Sequence, residues 1–431
     1  MKTVTIIGAG LAGSEAAWQL AQRGVPVKLI EMRPEKRTPA HHTGEFAELV
    51  CSNSLRGDGL HNAVGLLKEE LRQLDSLILS CADATRVEAG GALAVDRHGF
   101  SQLVTQRIKE HPLITVEYGE ATEIPEGPAI IATGPLTSDA MTEAIARFFE
   151  NQDYLSFYDA AAPLIAADSI DMDQAWFASR YDRGTADYIN CAMDKEQYQA
   201  FVRELATAEE AEVHGFEDSK VFEGCMPVEV MARRGEDTLR YGPLKPVGLN
   251  DPKTGKEPYA VVQLRRDNAE GSVYNLVGFQ THLRQPEQRR VFRMIPALAN
   301  AEFLRYGVMH RNTFLDSPQL LDCWYRARKN PEILFAGQMT GVEGYVESTA
   351  SGWVAGRTLA AMLLGEELPA LSRQTAIGAL GHYIAQGGVT KFQPMNVNFG
   401  IMEPLGYKVK GKRNKNEEIS RRSLEQIGML K

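Results

Sequence analysis

The first thirty positions change hydrophobic period twice. Val4 to Ile7 is a short β-branched run, Leu11 to about Arg23 is Ala-rich with helical spacing, and Val25 to Ile30 is apolar again before ending on Glu31. Gly24 closes the middle stretch, so the pattern predicts a strand, a helix and a second strand. A polar loop with His41, His42, Cys51, Ser52, Asn53 and Arg56 follows, then a helix expected from about Gly65 to Leu79. Pro128 to Gly134 and Ile333 to Gln338 each read as a buried strand running into a glycine turn. From about Asn151 to Asn300 the segments are shorter and alternate, with turn signals at Asn250-Asp251-Pro252 and Asn268 to Gly271. This predicts an α+β domain inserted into the first one. Ser348 to Leu364 is a helix of small residues suited to close packing. The expected organisation is therefore 1–150 and 301–431 as two parts of one α/β domain, with 151–300 inserted between them. Disorder is expected only over roughly the last two dozen residues.

The glycines of Gly8-Ala9-Gly10-Leu11-Ala12-Gly13 sit where the first strand must turn into the helix. Glycine there permits the abrupt turn, lets a pyrophosphate approach the backbone and lets helix and strand pack closely. The helix N-terminus adds free N–H groups and partial positive charge. Glu31 lies 18 residues after Gly13, at the end of the second strand, where a carboxylate can bind a ribose hydroxyl. A Rossmann-type dinucleotide site is the reading of this segment.

Composition narrows the class further. Hydrophobic residues make up 44% and charged residues 24% of 431, which suits a globular chain large enough for two or three domains. The longest apolar stretches, such as Thr358 to Leu364, fall well short of the roughly 20 residues of a membrane span. The N-terminus enters a strand at once, without the pattern of a signal peptide, so a cytoplasmic location is expected. Cysteines at 51, 81, 191, 225 and 323 contain no C-x-x-C pair, which argues for reduced thiols and against a structural metal site. The net charge of -9 hides a local asymmetry: residues 233–311 hold 14 Lys and Arg against 8 Asp and Glu. That excess fits a phosphate-binding face. The tail is basic as well, with Lys408, Lys410, Lys412, Arg413, Lys415, Arg421 and Arg422 against Glu417 and Glu418, a pattern that more often means a solvated surface.

The segments Gly8 to Gly13, Cys51 to Arg56, Gly224 to Glu229, Phe279 to Leu283 and Gly337 to Ser351 together resemble the TrmFO family of folate- and FAD-dependent tRNA (uracil-5-)-methyltransferases. The glycine fingerprint is shared with other flavoproteins, including the related and longer MnmG family. The two cysteine segments and Thr281-His282-Leu283 are the specific part. The resemblance implies an α/β fold, a Rossmann-type FAD-binding domain with an inserted α+β domain. It also implies methyl transfer to uracil C5 in the T-loop of tRNA (position 54). Methylenetetrahydrofolate would be the one-carbon donor, FAD the carrier and reductant, and NAD(P)H the electron source. Gly8, Gly10, Gly13, Glu31, Gly134, Gly337, Gln338 and Tyr345 would hold FAD. His282 would line the folate pocket, and Arg284 could meet a folate carboxylate. The helix opening after Gly344 would point its N-terminus at the flavin pyrimidine.

Uracil C5 is a poor nucleophile until something adds to C6, and a thiolate suits that addition. Cys225 is the first candidate, a turn residue between Gly224 and Pro227 with Arg233 and Arg234 nearby in sequence; Cys51 is the second. Cys81, Cys191 and Cys323 are read as structural. Three alternatives stay open: an FAD-dependent oxidoreductase acting on a small molecule, an MnmG-like tRNA wobble-uridine enzyme, or a tRNA-binding scaffold in which FAD is structural.

Overall fold

The computed structural model describes residues 2–38, 40–150, 155–160, 162–182, 185–211, 226–307, 309–386 and 392–430. Its first unit is strand β1 (Val4–Ile7), helix α1 (Leu11–Gln22) and strand β2 (Val27–Glu31). Strands β3 (Ile114–Tyr118), β4 (Ala129–Ile131) and β5 (Ile333–Phe335) complete a parallel sheet in the order β5-β4-β1-β2-β3. The order reverses between β1 and β4. The carboxyl ends of all five strands therefore surround one crevice at the switch point, where open α/β sheets take their ligands.

Helix α1 lies against a long helix, Tyr345–Leu364. The approach is too close for side chains at the crossing. A Cβ added to Gly352 would stand 2.2 Å from the carbonyl oxygen of Ala12, and one on Gly356 would stand 2.8 Å from that of Ala16. This contact fixes the start of the long helix against the start of α1, so both N-termini are rigidly placed at the crevice.

Two expectations need correction. The helix expected from Gly65 to Leu79 is two helices, α2 (Ala63–Gln73) and α3 (Leu77–Ala84). Asp75 at φ 56 breaks the run, and the Ser76 side chain accepts a hydrogen bond from the amide of Leu79 to start the second helix. The tail is also ordered. Numbering in chain order, the long helix is α4, Ala376–Ala385 is α5 and Lys412–Gln426 is α6. Ile419 of α6 is buried, Asn416 Nδ2 and Ser420 Oγ donate to the carbonyls of His61 and Leu60, and Ser423 Oγ donates to the buried carboxyl of Glu70. A few well-placed short side chains anchor a helix whose composition alone is highly polar.

Between β4 and β5 the chain passes through the antiparallel pair Leu155–Ala160 and Met309–Phe314 into a second unit. That unit is a six-stranded antiparallel sheet. Its order is Ala175–Ala178, Tyr188–Met193, Ala260–Arg266, Val273–Leu276, Leu164–Ala166, Phe303–Arg305. The helix Lys195–Thr207, opened by a capping box of Asp194 and Gln197, buries Tyr198, Phe201, Val202 and Leu205 in a core separate from that of the first unit.

Candidate functional site

The crevice is a cleft of about 1020 Å³ of empty space. Its lining includes Gly8, Gly10, Glu31, Gly134, Gly337, Gln338 and Tyr345. Each glycine has its own reason. Gly8 adopts φ +98, and a Cβ there would lie 2.5 Å from the carbonyl oxygen of Ala132. Gly13 packs rather than lines: its Cβ would fall 1.8 Å from the oxygen of Gly8. Gly10, the N-cap of α1, carries no side-chain cap, and a Cβ on it would meet nothing within 4 Å. The first amides of α1 thus face open space in the cleft.

Glu31 is buried at the end of β2. Its carboxylate accepts from the amides of Ala9 at 2.8 Å and Arg33 at 3.0 Å, and from the Arg33 guanidinium at 2.9 Å. Burial opposes its ionisation, but the hydrogen bonds and charge of Arg33 outweigh that and hold its pKa below the usual carboxylate range. Arg33 is itself buried and also reaches Glu48 at 3.3 Å. At the mouth of β5, the Gly337 amide donates to Ser351 Oγ at 2.7 Å, and Gln338 Nε2 donates to the carboxylate of Glu343.

The opposite end of the cleft is where the two units meet. The Tyr345 hydroxyl, at the first residue of α4, accepts from the amides of Cys51 at 2.8 Å and Ser52 at 3.3 Å. Burial holds that hydroxyl in its protonated form far above the usual tyrosine range, and the charge of Cys51 adds to this. The inserted sheet grips the same loop. Arg265 donates to Asn53 Oδ1 at 3.2 Å and to Ser52 Oγ at 2.5 Å, and Asn53 Nδ2 donates to the carbonyls of Val95 and Arg266. Arg97 holds the Leu49 carbonyl and makes a two-pronged pair with Asp267 at 2.8 and 2.9 Å. Cys51 is thus seated by both units.

His282 lies elsewhere, in the inserted unit. Its Nδ1 stands 2.7 Å from Glu229 and its Nε2 stands 2.5 Å from Glu210. Glu229, fully buried, also accepts from Thr281 Oγ1 at 2.8 Å and from the His282 amide at 2.9 Å. Cys225 lies outside the described residues. Burial drives the Cys81 thiol up to about 11 and Cys191 further still, so both are inert hydrophobes. No group of three or more potential metal ligands occurs among the described residues, and no described helix is long and apolar enough to cross a membrane.

A family model described as glucose inhibited division protein A matches residues 3–367. Proteins named methylenetetrahydrofolate--tRNA-(uracil-5-)-methyltransferase TrmFO from Acetivibrio thermocellus and Bacillus licheniformis are 61% and 58% identical to this chain. The matches cover 98% and 99% of it and 97% and 98% of them. The chain belongs to the TrmFO family. Two crystal forms of Aquifex aeolicus GidA superpose on all of the chain with TM-scores of 0.72 and 0.69, at 16% and 15% identity, and the match covers 76% and 74% of their length. That likeness establishes the α/β fold, whereas the TrmFO match runs along nearly the whole of both chains.

No local pattern in the sequence marks Arg97, Arg265, Asp267 or the carboxylates beside His282. Arg97 and Asp267 are 170 residues apart, and nothing local marks them as a pair. Glu229 sits inside a segment that resembles TrmFO, and that resemblance was the available signal. The basic excess of 233–311 is partly neutralised by pairing: Arg233 with Glu210, Arg284 with Glu209, and Arg290 with Glu204 and Glu287.

Proposed function

We propose that this protein methylates C5 of uracil in tRNA, taking the one-carbon unit from methylenetetrahydrofolate with FAD as cofactor. The observation that carries this is identity of 58–61% to TrmFO proteins along nearly the whole of both chains.

FAD fits the cleft. Gly10 leaves room at an uncapped helix N-terminus for a pyrophosphate, and Glu31 stands at the end of the neighbouring strand for the ribose. Gly134, Gly337, Gln338 and Tyr345 would hold the rest of the cofactor, and the N-terminus of α4 would offer its partial positive charge to the flavin. When bound, FAD supplies reducing equivalents and carries the one-carbon unit.

The chain's own groups do the rest. A thiolate, Cys225 first and Cys51 second, adds to uracil C6 and so makes C5 nucleophilic; the bond to C6 breaks again once the C5 proton has left. Tyr345, kept neutral by burial, holds a proton at the cleft end while its oxygen fixes the Cys51 loop. The His282 amide donates to the carboxylate of Glu229, four residues after Cys225; His282 would line the folate pocket, and Arg284 would meet a folate carboxylate. The tRNA, entering by its T-loop at position 54, meets the exposed Lys245, Lys253 and Lys256 and the exposed ring of Tyr241. NAD(P)H is the electron source and the cytoplasm the working compartment, which suits thiols that are not joined in disulfides.

The test is ribothymidine formation in an unmodified tRNA transcript by purified protein with FAD and NADPH, with and without methylenetetrahydrofolate. Product that depends on the folate is expected. Equal product without it, or none with it, would refute the reading.

A further inference from the structure

A buried guanidinium without partners keeps its charge uncompensated, a costly arrangement that calls for an explanation. Arg305 is half-buried and approaches this case: its Nε and Nη2 are shut off from solvent and have no hydrogen-bond partner. It ends the edge strand Phe303–Arg305, where a register shift against Leu164–Ala166 re-aims the chain. Burial first, and then the charge of Arg97, push its pKa down to about 10, so it remains cationic at neutral pH. Its strand partner Leu164 lies opposite Asn275, which lies opposite Arg265, so Arg305 shares the sheet face from which Arg265 reaches across the seam of the two units to the Cys51 loop that Tyr345 holds at the end of the cleft.

Among the described groups that act most on Arg305, Asp267 is the one carboxylate, and both its oxygens are taken by Arg97. Arg97, Arg265 and Arg305 therefore set three positive charges against one negative at this seam. The N-terminus of α4 adds partial positive charge at the same end, where the carboxylate of its first turn, Glu347, is paired with Arg56.

We propose that Arg305 tunes the flavin electrostatically: its unneutralised charge stabilises the negative charge that the isoalloxazine acquires at its pyrimidine edge on reduction. The inference rests on the proposed FAD site and adds to it a residue of the inserted unit. Two electrons and one proton from a reduced nicotinamide leave the ring with one net negative charge, and a fixed cation in a poorly screened cleft end lowers the energy of that state. Because Arg305 belongs to the inserted unit, the electron affinity of the flavin depends on how that unit is seated.

Sulfite reads this field without turnover. Its sulfur lone pair forms a bond to N5 of the oxidised ring, and the negative charge passes to the same pyrimidine edge. Wild-type protein loaded with FAD is expected to bind sulfite at least about tenfold more tightly than free FAD does. Arg305→Gln is expected to lose about tenfold of that affinity and to lower the two-electron midpoint potential by about 30 mV, while Arg305→Lys keeps most of both. Wild type no better than free FAD, or flavin-loaded Arg305→Gln with unchanged affinity and potential, would overturn the assignment. Wild type that takes up no flavin at all would instead remove the FAD reading, and the inference with it.

Discussion

The two units of this molecule hold their functional groups by opposite means. In the nucleotide cleft the working parts are backbone amides and missing side chains: Gly8, Gly10 and Gly13 let a strand, a turn and a helix come within contact distance and leave open space at one point. In the inserted unit the working parts are side chains, with Glu229 on Thr281 and His282, and with Asp267 reaching back across the seam to Arg97. A site built from absences is broken by adding atoms. One built from buried charge pairs is broken by removing them.

The largest effect should come from removal in the inserted unit. Glu229→Gln leaves His282 and Thr281 facing an amide where a buried carboxylate stood, at an expected cost of about 4 kcal/mol. Thermal unfolding should show the loss while the protein still takes up FAD; a variant as stable as wild type would mean that the Glu229 cluster is not what holds this region.

The anchor of the C-terminal helix supplies a pH-dependent case. Burial raises the pKa of Glu70 to about 7, against hydrogen bonds from Ser423 and the amides of Ala376 and Ile377 that favour the charged form. A carboxyl with a raised folded pKa stabilises the fold fully below its unfolded value near 4.5, and that stability is lost as pH rises through about 7. The loss should reach about 3 kcal/mol over that window. Denaturant unfolding at several pH values should show the slope in wild type and a flatter profile in Glu70→Gln; identical profiles would contradict the assignment.

Addition in the cleft should separate binding from folding. Gly10→Val places a side chain in open space, so the apo fold should survive, but it occupies the phosphate path and should weaken FAD at least about a hundredfold, roughly 2.7 kcal/mol. Flavin content after gel filtration measures this, and a fully yellow variant would move the pyrophosphate elsewhere. At the small end, Arg413→Ala removes an exposed pair with Glu417 on α6 and should change stability by less than about 0.5 kcal/mol, because water and salt screen it. A melting curve shifted by several degrees would show that α6 docks more tightly than its hydrogen bonds suggest.

The same contrast explains what could be read from the sequence. The glycine fingerprint, Glu31 and the strand-to-glycine turns at Gly134 and Gly337 are local, each with one steric purpose, and they converge on one cleft. The break at Asp75 was also local, since Asp-Ser before an apolar run is an N-cap signal, yet the helical spacing on either side concealed it. Arg97 with Asp267, Glu70 with Ser423, and the unpartnered Nε and Nη2 of Arg305 depend on chain segments that only the folded molecule brings together.

The origin of the methyl carbon decides the proposed function most directly. Purified protein, unmodified tRNA transcript, FAD and NADPH should be supplied in parallel with methylenetetrahydrofolate labelled in its methylene carbon and with methyl-labelled S-adenosylmethionine, and the label in ribothymidine counted after nuclease digestion. Label is expected from the folate alone; label from S-adenosylmethionine, or unlabelled ribothymidine in the presence of labelled folate, would contradict the proposed function.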